Sequence, residues 1–270
     1  MPGGKATRQG RVWMDDGMTR GEGGKAPGAG PQDAAINAPV VILALIAVFV
    51  LLQLAQDHLG RQAASRLVLS LAFMPLRYAV PLDVAAQMPG GLWTWALSPF
   101  THMFLHAGWA HLGINSLWLL AFGAPVARRL GAVRFLLLSL ACAAGGALFF
   151  LPFHLGEATL LVGASGAISG LMGAAIRLIF AGNAPLTEGL RRDLSRIRPL
   201  TVWQCFLHGR PRAFILIWMG INLVFGMLGI GAGGQAQTIA WEAHTGGFLA
   251  GLLLLGLFDR GRGRLARSAA

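Results

Sequence analysis

Charged side chains are scarce in this sequence, and their scarcity limits what the protein can be. Only 12% of the 270 residues are Asp, Glu, Lys or Arg, whereas about 25% is usual in a soluble globular domain. Hydrophobic residues make up 55% of the chain and gather in blocks about as long as a membrane is thick. This composition excludes an ordinary water-soluble enzyme and predicts an integral membrane protein.

Cysteine is also rare, and acidic residues are too few to balance the basic ones. Cys142 lies in an apolar run and Cys205 in a basic loop, so neither a disulfide framework nor a thiolate metal site is indicated. The net charge is +11, but the basic side chains flank apolar blocks and do not form the aromatic-interleaved stripe of a nucleic-acid binder. We therefore expect membrane lipid around the chain and no nucleic acid partner.

The apolar blocks predict an all-α, polytopic fold with six membrane-spanning helices. The blocks lie at about 39–54, 109–126, 133–152, 160–180, 213–230 and 239–258. Between the first two, residues 57–108 contain four prolines and two tryptophans. This content favours a re-entrant or interfacial loop over a seventh span.

The remaining segments predict the domain organisation. Residues 1–37 are rich in glycine and charge and lack a periodic apolar pattern, which is typical of a disordered tail without a cleavable signal peptide. The six-helix membrane domain is expected over residues 38–258, with a cytoplasmic loop at about 182–212. Residues 259–270 form a predicted basic cytoplasmic tail.

The basic residues also predict how the chain is oriented in the membrane. With both termini cytoplasmic, 19 of the 22 Lys and Arg residues lie on the inner side, and only Arg61, Arg66 and Arg77 lie outside. The positive-inside rule favours this arrangement. We expect a protein of a bacterial cytoplasmic membrane, with both termini in the cytoplasm.

Polar side chains occur at three places inside the predicted spans, where burial in lipid is costly enough to indicate a function. His111 and Asn115 are four residues apart and share one helix face. Ser165 and His244 each lie about five residues into spans that start from the outer side. At 1.5 Å per residue, both should lie roughly 7 or 8 Å below the outer boundary. The serine and the histidine can therefore meet.

Glycines accompany both of these polar residues. Gly247 and Gly251 follow His244 on its own helix face, and Gly166 begins a similar series beside Ser165. Small residues let membrane helices approach closely. A serine beside a histidine is the minimal activated nucleophile, because the imidazole can accept the hydroxyl proton. The polar pair of the second span could donate hydrogen bonds to the oxyanion that develops in acyl transfer.

Other interpretations of the same residues stay open. A serine in a glycine-rich helix is usually a packing residue, and an asparagine can simply join helices. His102, His106 and His111, together with His244, could also ligate a metal ion. The HExxH arrangement is absent, however, and the nearest acidic residues are Asp83 and, in the sixth predicted span, Glu242. We expect no metal and no other cofactor.

At this point the sequence resembles the rhomboid intramembrane serine proteases over about residues 97–256. Three motifs occur in the order of that family. They are residues 100–106 followed by His111 and Asn115, the run Gly163-Ala164-Ser165-Gly166, and Ala243-His244 with Gly247 and Gly251. Each motif alone is weak, whereas the three together on the expected spans are specific.

The resemblance implies a mechanism and a set of roles. Ser165 would be the nucleophile and His244 its general base, in a dyad without an aspartate. Asn115, His111 and the backbone N–H of Ser165 would form the oxyanion hole. The substrates would be other membrane proteins, cut near or within a transmembrane helix.

The resemblance also implies supporting parts. His102 and His106 would be structural or would hold water near the site. Residues 57–108 would correspond to the family's membrane-embedded loop 1, and residues 229–238 to a flexible cap.

This chain departs from the family pattern in two places. Ser169 stands where many members have an aromatic residue that stacks on the catalytic histidine, which predicts a less firmly held imidazole. Leu97-Ser98 stands where some members carry a Trp-Arg pair. Two other functions remain open: a histidine-box metal-dependent hydrolase, and a catalytically silent relative that binds membrane proteins.

The predicted orientation can be tested with reporter fusions. A reporter that is active only in the cytoplasm should be active when fused within residues 182–212 and silent when fused after Gly233. Measuring both fusions in intact cells checks the charge count. The reverse pattern would place Ser165 and His244 at the inner side of the membrane and contradict the predicted orientation.

Overall fold

The computed structural model describes residues 38–187, 194, 197–229 and 240–259, and this part of the chain is all-α, as predicted. The predicted tails at 1–37 and 260–270 lie outside the described residues. So do most of the predicted cap and part of the predicted loop at 182–212. The domain boundaries proposed for these segments stay predictions.

The helices are numbered in chain order. They are α1 (Val40–His58), α2 (Arg61–Leu71), α3 (Leu76–Ala79), α4 (Leu82–Gln87), α5 (Gly91–Thr101), α6 (Trp109–Trp118), α7 (Ala124–Leu130), α8 (Ala132–His154), α9 (Ser165–Ile179), α10 (Val202–Leu207), α11 (Gly209–Met227) and α12 (Trp241–Phe258). Short 3-10 turns occur at His102–Phe104 and Ala181–Asn183. A π-helical turn over Leu119–Gly123 joins α6 to α7 without a break.

Four stretches are long and apolar enough to cross a membrane. They are Val40–His58, Trp109–Leu130, Ala132–His154 and Trp241–Phe258. The other two predicted spans correspond to α9, a shorter apolar helix of 15 residues, and to α11. The number of spans, six, therefore stays a prediction. Residues 57–108 fold mainly into the short helices α2 to α5.

The start of the fourth predicted span is wrong by five residues. Helix α9 begins at Ser165 and not near residue 160. Leu161 forms an antiparallel bridge with Phe73, with N–O distances of 2.8 and 3.2 Å. Gly163 has a φ of 114°, which favours glycine, and its N–H donates to the carbonyl of His102 at 3.0 Å. These contacts hold the preceding segment in a non-helical conformation and make Ser165 the first residue of its helix.

Glycines bring the backbones of α9 and α12 into direct contact. A Cβ atom on Gly247 would collide with the carbonyl oxygen of Gly166, and one on Gly251 would collide with the carbonyl oxygen of Gly170. Helix α8 packs on the other side of the same pair, where a Cβ on Gly146 would lie 2.7 Å from the carbonyl oxygen of Ala243. The three helices form the centre of the fold, with the close approach that the glycine spacing predicts.

The last turns of α7 and α9 each carry an arginine, one buried and one half-buried. Arg129 of α7 is 5% exposed and forms a bidentate ion pair with Asp259, which follows α12, at 2.8 and 2.9 Å. Arg177, in the last turn of α9, donates to the carbonyls of Leu200 at 2.7 Å and Leu252 at 2.9 Å. Cations at these positions match the negative ends of the helix dipoles.

The glycine contact predicts a position-specific loss of stability. Gly247→Leu should lower the free energy of unfolding by about 3 kcal/mol or more, because the added side chain must push α12 away from α9. Gly256→Leu on the same helix is the matched control, since a Cβ there meets nothing within 4 Å. Unfolding both variants in mixed micelles tests this, and equal stability of the two would contradict the backbone contact.

Candidate active site

A cavity of about 840 Å³ lies beside the first turns of α9 and α12. It is lined by Ser165 and His244 and by two residues of α6, His111 and Asn115. Ser165, His244 and His111 are half-buried, and Asn115 is 3% exposed. The structure thus brings together the four polar residues that the sequence singled out.

Ser165 is the first residue of α9. The first N–H groups of an α-helix have no carbonyl partner within the helix, and no described residue accepts a hydrogen bond from the N–H of Ser165. The positive end of the helix dipole adds to the local field. The position therefore offers a hydroxyl and a free backbone donor together.

No hydrogen bond joins the Ser165 hydroxyl to His244 within the described part of the chain. Such pairs are often loose in the absence of substrate and tighten as the reacting complex forms. Both side chains face the same cavity.

His111 is arranged as a hydrogen-bond donor. The N–H of Ala107 donates to its Nδ1 at 3.4 Å, so Nδ1 is the acceptor and Nε2 carries the proton in the neutral ring. A Cβ on Gly163 would lie 2.9 Å from Nε2. The donor nitrogen therefore lies against the segment that leads into Ser165.

Asn115 lies one turn after His111 on the same face of α6. Its Nδ2 donates to the carbonyl oxygen of His111 at 2.9 Å, which fixes the amide on the cavity side of the helix. An amide nitrogen carries two hydrogens, so one remains for a group inside the cavity.

His102 does not line the cavity but links two segments near it. It is 1% exposed, and its Nδ1–H donates to the carbonyl of Ser98 at 3.0 Å. Its own carbonyl accepts the N–H of Gly163, as described above. Burial lowers the pKa of His102 to about 4, so the ring is neutral near pH 7.

His106 lines the cavity and is 2% exposed. Its ring packs against Phe49, with centroids 4.9 Å apart, and edge-on against His111 at 5.3 Å. Burial, and secondarily the neighbouring His111, lower the pKa of His106 to about 3. Neither ring nitrogen has a hydrogen-bond partner among the described residues.

The histidines do not assemble into a metal site in the described part of the chain. No group of three or more His, Cys, Asp or Glu side chains is placed there to hold a metal ion. His102 in particular faces a backbone carbonyl. The histidine-box arrangement considered from the sequence is therefore not formed by these residues.

Sequence reasoning missed one residue that contacts the site. Asn222 of α11 is 6% exposed, and its Oδ1 lies 2.8 Å from Nδ1 of His244. The imidazole, expected to be loosely held because Ser169 replaces an aromatic residue, is thus held by a hydrogen bond. The signal was available, because an asparagine within an apolar helix is costly unless its amide is bonded.

Comparison with known proteins identifies the family. A family model described as the Rhomboid domain matches residues 89–260, which include every residue that lines the site from α6, α9 and α12. The chain belongs to the rhomboid family. Together with its four helices that are long and apolar enough to cross a membrane, this membership makes it an integral membrane protein.

Two curated rhomboid proteins of Arabidopsis thaliana are similar to part of the chain. RHOMBOID-like protein 1 is 31% identical over 156 residues, which cover 57% of this chain and 32% of that protein. RHOMBOID-like protein 6, mitochondrial, is 29% identical over 154 residues, which cover 50% of this chain and 49% of that protein. The matches thus span about half or less of these relatives. Both are plant proteins, so they do not support the expected bacterial membrane.

Because the neutral ring of His102 is buried, we expect this rhomboid to lose stability in acid. The pKa of His102 falls from 6.5 to about 4 on folding, so the unfolded chain binds the proton first as the pH drops. Between pH 7 and pH 5 this histidine should remove about 2 kcal/mol from the free energy of unfolding. The loss begins near pH 6.5 and is complete below pH 4.

His102→Asn supplies the control, because its amide can still donate to Ser98 but does not titrate. Unfolding in mixed micelles at both pH values should show a smaller acid loss for this variant than for the parent. An equal loss would contradict the burial of a neutral ring.

Proposed function

We propose that this rhomboid is an intramembrane serine endopeptidase that cleaves transmembrane segments of membrane proteins with a Ser165–His244 dyad. The observation that carries the proposal is the shared cavity, in which a hydroxyl at a helix start and an imidazole from the adjoining helix face one volume. Membership in a family that fits serine proteolysis supports it. The glycine contacts between α9 and α12 support it further, because they fix the distance between the two helices.

In the proposed reaction, the imidazole of His244 removes the proton from Ser165 as the hydroxyl oxygen attacks the scissile carbonyl. The imidazolium then gives that proton to the departing amine, and an acyl-enzyme remains on the serine oxygen. A water molecule, deprotonated by the same imidazole, releases the second product. His244 thus acts as the base for attack and the acid for departure in each half of the reaction.

Three donors are proposed for the oxyanion. They are an amide hydrogen of Asn115, the Nε2–H of His111 and the backbone N–H of Ser165. Each donor is held before substrate arrives, so little reorganisation accompanies the development of negative charge. The dipole of α9 points its positive end at the same place.

The proposed orientation has both termini in the cytoplasm and the cavity toward the outer side of the membrane. The distribution of Lys and Arg in the sequence supports it. Arg129, which is buried, and Arg177, which is half-buried, lie at helix ends opposite to Ser165 and His244, which agrees with that distribution. Transmembrane segments would then meet the dyad near their outer ends.

Substitutions in the dyad test the proposal. Ser165→Ala and His244→Ala should each abolish cleavage of a purified transmembrane substrate, and the double variant should be no worse, because the two groups act as a unit. Asn115→Ala should lose about 10²–10³ in rate, since other donors remain. Ser139→Ala is a matched control, because that buried serine only bonds the carbonyl of Phe135 in its own helix at 2.8 Å.

Other outcomes would assign a different function. Full activity of Ser165→Ala would refute the dyad, and inactivation by a chelator would favour a metal-dependent hydrolase. A parent protein that binds a transmembrane substrate but leaves it uncut, and whose Ser165 does not react with a fluorophosphonate, would be a silent binding relative.

A further inference from the structure

Asn222 is the residue of α11 that reaches His244, and it lies outside the cavity. Its amide oxygen is 2.8 Å from the Nδ1 of His244, but Asn222 does not line the cavity that holds Ser165 and His244. A bound substrate in that cavity therefore meets the imidazole and not the asparagine. Any effect of Asn222 on reactivity must pass through the histidine ring.

The neighbouring groups fix which way the amide points. Asn222 Nδ2 lies 3.1 Å from the carbonyl oxygen of Trp241, which can only accept a hydrogen bond. It also lies 3.4 Å from the hydroxyl of Thr245, which gives its own hydrogen to the same carbonyl at 2.8 Å. The amide nitrogen must therefore face the carbonyl oxygen of Trp241, and the amide oxygen must face His244.

An amide oxygen accepts hydrogen bonds and donates none, so this orientation determines the tautomer of the imidazole. Nδ1 of His244 must carry the hydrogen that Asn222 accepts. In the neutral ring, Nε2 then has a lone pair and no hydrogen. A general base needs such a free lone pair on the nitrogen that points away from the orienting partner.

We propose that Asn222 is a positioning residue that fixes the tautomer and the direction of the His244 ring. The proposal rests on the proposed function, because it assigns the histidine a reactive Nε2. The site would then be a serine–histidine–asparagine triad, in which a neutral amide supplied by α11 orients the imidazole in place of a carboxylate.

Ser169 explains why such a support is useful in this chain. This residue lies one turn after Ser165 in α9, lines the cavity and is 6% exposed. Its side chain is too small to restrain the imidazole by stacking. A hydrogen bond from a different helix restrains the ring at its far nitrogen and leaves the cavity side open.

Kinetics of three variants test the assignment. Asn222→Leu keeps a similar volume but has no acceptor, so kcat should fall about 10- to 100-fold as the ring loses its direction, with KM unchanged. Asn222→Asp should recover most of the lost kcat, because a protonated carboxyl offers the same acceptor and donor pair. Gln53→Leu removes another buried amide, which bonds Asp57 at 3.0 Å and does not line the cavity, and should behave as the parent does.

A spectroscopic measurement tests the same contact without any need for catalysis. In protein labelled with ¹⁵N-histidine, the resonances of His244, assigned by comparison with His244→Gln, should show hydrogen on Nδ1 and none on Nε2. Asn222→Leu should shift the ring toward a mixture of tautomers, and Asn222→Asp should restore the parent pattern.

The two readouts separate failure of this proposal from failure of the proposed function. If Ser165→Ala still cleaves substrate, the dyad is wrong, while the tautomer of His244 still reports on Asn222. If Asn222→Leu matches the parent in kcat and in tautomer, Asn222 does not position the ring. A loss that appears in KM, or one that Asn222→Asp does not repair, would show a merely structural role and would also overturn the proposal.

Discussion

Direct contact between two helix backbones is the constraint on which the rest of this structure depends. A side chain at Gly247 would collide with the carbonyl oxygen of Gly166, and one turn further along a side chain at Gly251 would collide with that of Gly170. Ser165 precedes Gly166, and His244 lies three residues before Gly247. The separation of the hydroxyl and the imidazole is therefore set by main-chain atoms, which vary less than side-chain rotamers do.

The same helices are polarised from one end to the other. The proposed reacting groups lie at the N-terminal ends of α9 and α12, where helix dipoles favour developing negative charge. Arg129 and Arg177 lie toward the other ends, where the dipoles favour cations. The parallel dipoles of α9 and α12 thus favour the proposed chemistry at one end and bind the arginine side chains at the other. In a low-dielectric surrounding these effects are stronger than they would be in water.

Much of this arrangement could be predicted from the sequence, because membrane spans are recognisable by their length and hydrophobicity. Five of the six predicted spans begin within a few residues of their helices. The exception is α9, because hydrophobicity does not reveal the bridge between Phe73 and Leu161 or the positive φ of Gly163. Both depend on contacts with residues far away in the chain.

The residues of the candidate site could also be predicted only in part from the sequence. Ser165, His244, His111 and Asn115 could be found from their cost in lipid and from helical spacing, and the glycines indicated that two of the helices approach closely. The contact of Asn222 could not be located, because it depends on how α11 packs beside α12. Its presence in an apolar helix was nevertheless a usable sign that its amide has a partner.

The π-helical turn at Leu119–Gly123 has a consequence for comparing this protein with its relatives. A π turn adds one residue to a helical turn, which rotates everything after it by about 100° relative to a regular helix. A helical wheel drawn through Trp109–Leu130 would therefore assign α7 to the wrong face. Alignment with a relative whose helix is regular requires a one-residue gap in the middle of a membrane span. The extra residue lies within the π turn. The half of the span that carries His111 and the half that carries Arg129 can therefore be aligned separately, each with its own helix face.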